Sequence, residues 1–122
     1  MAKAVGVGGI FLRATEPKKL MSWYVEHLGI PGGEGGYTNF DGPEAQGMTV
    51  FSFFPENSEY MGEQTQRAMV NFRVDDLDGV LARLEAAGAK IDPKREDYGY
   101  GRFAWFWDPE GNRVELWEPK DE

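Results

Sequence analysis

Glu115 is the residue of this chain best placed to do chemistry. It stands in "FAWFWDPEGNRVELWEP", residues 103–119, a carboxylate in the middle of an alternating apolar run. A charge in such a setting needs a cationic partner, a proton or a metal. Three roles follow for it. It can complement a cationic ligand, act as a general acid or base with a pKa raised by apolar surroundings, or pair with Arg13, Arg73 or Arg113. Other reactive side chains are few. The chain has no cysteine, which rules out disulfides and thiolate metal sites, and its one histidine, His27, falls near a helix end where a cation is favoured. No serine or histidine stands in a nucleophile's setting. The glycine runs "GVGG" and "GGEGG" lack the strand-to-helix context of a phosphate loop. The acidic residues Glu34, Glu44, Glu56, Glu59 and Glu63 show no ligand-like spacing and read as solvated loop positions.

The elements that must position Glu115 follow from the wider pattern. A chain of 122 residues with 41% hydrophobic and 14% aromatic content makes one globular domain. Its formal charge of -8 argues against nucleic acid or an anionic membrane as partner. With no apolar run near ~20 residues and no signal-peptide core, the expected location is the cytoplasm. A strand over 5–14 precedes a helix in "TEPKKLMSWYVEHLG", with Thr15 as N-cap, Pro17 in the first turn and Gly29 as terminator. Leu20, Trp23, Tyr24 and Leu28 form its apolar stripe. Strands follow in "EGGYTNFDG" and "GMTVFSFFP", then a polar connector over 57–66. The pattern restarts with a strand over 68–74 and a helix in "DDLDGVLARLEAAG", capped by Asp75 or Asp76 and ended by Gly88. Its stripe is Leu77, Val80, Leu81 and Leu84. "YGYGRFAWFW" and "NRVELWEP" close the chain, joined by a tight turn at Pro109 and Gly111.

The two halves superpose as text. Leu12 and Arg13 match Phe72 and Arg73 at an offset of 60, and "MTVFSFFP" matches "NRVELWEP" at an offset of 64, aligning Phe51 with Glu115. Two βαβββ modules result, about 5–56 and about 67–119, neither able to bury its sheet alone.

With its paired modules, the string "WYVEHLG" and above all "FWDPEGNRVELWEP", the chain resembles the vicinal-oxygen-chelate superfamily, which includes glyoxalase I, extradiol dioxygenases and bleomycin-resistance proteins. The resemblance implies an α+β fold: a curved eight-stranded sheet around a cavity, helices on the outer face, and a homodimer. It also implies up to four metal-ligand positions, which fall here on Gly9, Phe51, Met69 and Glu115. Only Glu115 suits a hard divalent ion, so the expectation is a metal-free protein with no cofactor. The resemblance also turns the Glu115 face toward the cavity, and strand parity on that face implies a ligand-binding wall of Phe11, Phe51, Phe53, Met69, Asn71, Phe103, Trp105, Glu115 and Trp117, with Gly9 adding empty volume. Tyr98 and Tyr100 stand at its margin. The function expected is metal-independent binding of a flat ligand, apolar or cationic. The alternative is a glyoxalase- or dioxygenase-like enzyme, a lyase, isomerase or oxygenase, using Glu115 as catalytic acid/base or metal ligand.

Overall fold

The structure, a computed structural model, describes residues 2–28, 30–41 and 47–120. Gly29, expected to end the first helix, and Glu44 lie outside the described residues. The chain divides into two compact units, one of Gly8–Met69 and one of the chain before Gly8 together with that from Val70 onward.

In the Gly8–Met69 unit, most of β1 (Ala4–Ala14) pairs in parallel with β3 (Thr49–Pro55), and β2 (Tyr37–Phe40) pairs antiparallel with the other edge of β3. Helix α1 (Pro17–Leu28) packs on this sheet through Met21, Tyr24 and Val25, which meet Leu12, Ala14, Phe51 and Phe53. The expected stripe is therefore displaced: Leu20, Trp23 and Leu28 are exposed. Apolar residues cover so much of α1 that two overlapping stripes exist. The buried one is set where the chain passes at Gly33, at φ 95°, so close to Val25 that a Cβ there would collide with it. The carbonyl of Glu16, not Thr15, accepts the first helical hydrogen bond, from Leu20 N at 2.9 Å.

The other unit is built from most of β4 (Ala68–Val74), α2 (Leu77–Ala86), β5 (Lys90–Tyr98), β6 (Gly101–Trp107) and β7 (Arg113–Pro119). The strand order is β4-β7-β6-β5, parallel at β4/β7 and antiparallel at the other two pairs. Helix α2 begins where the Asp76 side chain accepts from Gly79 N and the Glu118 carboxylate accepts from Leu77 N. It ends in a Schellman motif, with Ala89 N bonded to Leu84 O, Gly88 N bonded to Glu85 O, and Gly88 at φ 85°. Leu77, Val80, Leu81 and Leu84 cover Phe72, Val74, Ala104, Phe106 and Leu116, as the spacing predicts. The β6–β7 turn is tied by Asp108, whose Oδ1 accepts from Glu110 N and Asn112 N at 2.9 Å each, with Gly111 at φ 87°.

The fold is α+β, with seven strands among the described residues where eight were expected. The second module is a complete βαβββ; the first shows βαββ. Strand β5, "KIDPKREDY", carries no apolar alternation and contains Pro93, both marks of a strand at a sheet edge.

One correction bears directly on the site. Phe51 and Phe53 do not share the face of Phe11; they lie under α1 beside Tyr24, at ring-centroid distances of 5.5 and 5.2 Å. The register explains it. Leu12 pairs with Phe53 and Phe72 with Leu116, so the modules superpose at offsets of 60 in the first strand and 63 in the last. The position corresponding to Glu115 is thus Ser52, and a one-residue slip in a strand exchanges its faces. Gly9 likewise leaves no empty volume. The Phe11 ring lies over it, its Cε1 2.8 Å from where a Cβ would stand.

Candidate functional site

In the unit containing Glu115, α2 covers one face of the strands. The opposite face gathers one side chain in two from each strand. The pairings Asn71 with Glu115, Trp105 with Glu115, Phe103 with Trp117 and Trp107 with Arg113 fix the layout. Asn71, Phe103, Trp105, Glu115 and Trp117, five of the residues expected at the site, therefore come together by register alone.

Glu115 is 1% exposed. Its Oε1 accepts a hydrogen bond from Trp105 Nε1 at 2.9 Å, and its Oε2 accepts one from Asn71 Nδ2 at 2.5 Å. Two neutral donors on neighbouring strands hold the carboxylate in one orientation. Each such bond to a charged acceptor contributes about 1.5–3 kcal/mol, which offsets part of the cost of burying the charge.

The surroundings differ on the two sides of Glu115. Toward the β6–β7 turn the tryptophans are dressed by cations of the protein itself. The Arg113 guanidinium lies 5.4 Å from the Trp105 ring and 5.3 Å from Trp107, while Lys94 and Lys90 approach the same two rings at 5.2 and 4.5 Å. Arg113 also binds Asp92 at 2.7 Å. Burial works to raise the Asp92 carboxyl, but the bond from Arg113, the Lys94 backbone N–H and the two cations outweigh it and leave the pKa below its ordinary value. Away from that turn the face is mainly aromatic, with Arg73 set beside Trp117 in the β4–β7 pairing. Phe103 and Trp117 stack at 5.9 Å and 5° between planes, and the exposed Tyr98 and Tyr100 stack on each other and meet Phe103 edge-on. The Tyr98 hydroxyl is raised above its ordinary pKa, first by its hydrogen bond to Glu96 and least by the charge of Glu115.

Two of the three arginines proposed as partners of Glu115 have other engagements on view. Arg113 serves Asp92. Arg13, in the other unit, donates to the backbone carbonyls of Glu56, Ser58, Gly62, Glu63 and Gln66, all at 2.8–3.0 Å. The residues missed from sequence are Lys90, Asp92 and Lys94. Their signal was present as three charges at every second position, the spacing of one face of a strand.

The remaining expected residues belong to the Gly8–Met69 unit. Phe11 packs against Phe54 at 5.4 Å, and Met69 is 1% exposed in the Gly8–Met69 unit. The donor chemistry does not suit a metal of the family's kind. Gly9 has no side chain, Ser52 is a neutral hydroxyl, and the Met69 thioether is soft. Among the described residues no three His, Cys, Asp or Glu side chains cluster as a metal site.

Comparison with known proteins places the chain. The family model for the Glyoxalase/Bleomycin resistance protein/Dioxygenase superfamily matches residues 6–116. "Uncharacterized protein YaeR" of Escherichia coli (strain K12) is 38% identical over 73 residues, 58% of this chain and 57% of that protein, so the match spans less than two thirds of that relative's length. Among solved structures, methylmalonyl-CoA epimerase from Mycobacterium tuberculosis superposes with a TM-score of 0.67 at 18% identity, over 97% of this chain and 90% of that one. A variant of Streptomyces coelicolor methylmalonyl-CoA epimerase in complex with 2-nitronate-propionyl-CoA gives 0.72 at 13% identity, over 98% and 100%. At these identities the likeness is one of fold.

Proposed function

The chain belongs to the Glyoxalase/Bleomycin resistance protein/Dioxygenase superfamily, and from that premise we propose that it binds a flat, neutral small molecule without a metal. The observation that carries this reading is the Glu115 carboxylate, held by Trp105 and Asn71 beside the stacked rings of Phe103 and Trp117. The ring faces that would attract a cationic ligand, those of Trp105 and Trp107, already have Lys94, Arg113 and Lys90 beside them. That favours the apolar half of the expected ligand class over the cationic half. Phe103 and Trp117 supply the stacking surface, Tyr98 and Tyr100 its margin, and Glu115 with Asn71 the polar anchor.

The second reading is catalysis by Glu115 as acid or base. It is supported by the burial of that carboxylate and by a fold shared with enzymes named methylmalonyl-CoA epimerases. The working assembly proposed in either case is a homodimer, which light scattering tests. The deciding experiment is a titration of the purified protein with flat aromatic compounds followed by tryptophan emission, before and after chelator treatment. Saturable quenching that chelator leaves unchanged is expected. Quenching abolished by chelator and restored by one metal ion per chain overturns the metal-free reading, and no response from any aromatic compound overturns binding.

A further inference from the structure

We infer that Asn71 selects the ligand, by offering it a hydrogen-bond acceptor, so that the site takes flat neutral molecules carrying an N–H or O–H donor. This rests on the binding reading above and adds the polarity of the group the ligand must present. Asn71 is 2% exposed and lies opposite Glu115 in the β4–β7 pairing. Its NH2 group donates to Glu115 Oε2. That turns Oδ1 the other way, and Oδ1 is buried with no hydrogen-bond partner among the described residues. Buried side-chain polar atoms are nearly always paired, and an acceptor left alone is disfavoured until a donor reaches it. The donor is a neutral one, because the nearby cations Lys94 and Arg113 are placed against Trp105 and the Arg73 guanidinium lies against Gly6.

The chain of orientation makes a sharp demand on one variant. In Glu115→Gln, the Trp105 indole N–H can only donate, so the new amide must turn its oxygen to Trp105 and its NH2 to Asn71. Asn71 must then rotate to present Oδ1 to that NH2, and its own NH2 takes the place Oδ1 held. The site changes from acceptor to donor.

Three small benzene derivatives test this: aniline, which donates; acetophenone, which only accepts; and toluene, which does neither. Affinities are read from amide and indole shifts of the 15N-labelled full chain. The wild-type protein should bind aniline over acetophenone by about tenfold or more. Asn71→Leu should bring that ratio close to one, and Glu115→Gln should reverse it. A wild-type ratio of one or below overturns the inference without need of any variant, as does an unchanged ratio in a folded Asn71→Leu. If toluene binds and the ratio is flat, only this inference falls. If none of the three binds, the binding reading falls with it.

Discussion

Replacing Trp105 by Phe removes the indole N–H from Glu115 while keeping an aromatic ring in place. Three losses add. The hydrogen bond to the carboxylate, between residues 0% and 1% exposed, is worth about 1.5–3 kcal/mol. Besides the nitrogen already counted, the smaller ring gives up roughly two buried carbons, about 1–2 kcal/mol at ~0.8 kcal/mol per methylene equivalent. The contacts of Lys94 and Arg113 with the indole face weaken by a few tenths of a kcal/mol on the poorer ring. The expected destabilisation is about 3–5 kcal/mol, a fall in Tm of roughly 10–20 °C for a domain of this size. Urea unfolding followed by far-UV circular dichroism measures it. The polar part is isolated by a double-mutant cycle with Glu115→Leu, which should return a coupling of about 1.5–3 kcal/mol. A coupling below about 0.5 kcal/mol would refute the claim that Trp105 holds the carboxylate, even if the single substitution were costly, since the cost would then be packing alone.

Arg13→Lys keeps the charge but loses the planar fork that reaches five carbonyls. It should destabilise by about 2–5 kcal/mol and raise amide exchange across 56–66, readable by hydrogen-exchange mass spectrometry; unchanged protection there counts against the role. Stability should be level near neutral pH and fall below about pH 4. The carboxyls of Asp92, Asp78, Glu56 and Asp108 are all lowered in the folded chain, so their contribution is present above the unfolded pKa of about 4 and is lost as pH falls through the folded values. Urea midpoints across pH 2–8 check this, and Asp92→Asn should flatten the acid limb; a midpoint unchanged down to pH 3 refutes it.

The second module was legible because its signals agree. Asp76, Gly88 and Gly111 mark the ends of elements, the α2 stripe has a single solution, and β6 and β7 alternate strictly, so the faces of Trp105 and Glu115 followed from parity. The first module was read less well for identifiable reasons. "FSFF" carries phenylalanines on both faces of β3, so apolarity does not say which face is inside, and textual matching chose an offset of 64 where pairing sets 63. Helix α1 offered two stripes. Strand β5, written in charges around a proline, has the composition of a loop, and its cation–π contacts depend on a register with an irregularity between Ile91 and Arg95. The hydrogen bonds of Glu115 were not legible in kind: its strand neighbours could be inferred, but not that both would be neutral donors.

The embrace of the connector by Arg13 also bears on how this chain can be re-engineered. A polar, glycine-containing stretch between two repeated modules would ordinarily be the first choice for inserting a tag or for opening new termini in a circular permutant. Here five carbonyls between Glu56 and Gln66 converge on one guanidinium, so the spacing between them is fixed by the reach of a single side chain. Lengthening or cutting the stretch would strand buried N–H donors of Arg13 rather than merely slacken a loop. The turn at Asp108–Asn112 carries no such long-range tether, its hydrogen bonds closing within five residues. It is the better place to break or extend the backbone.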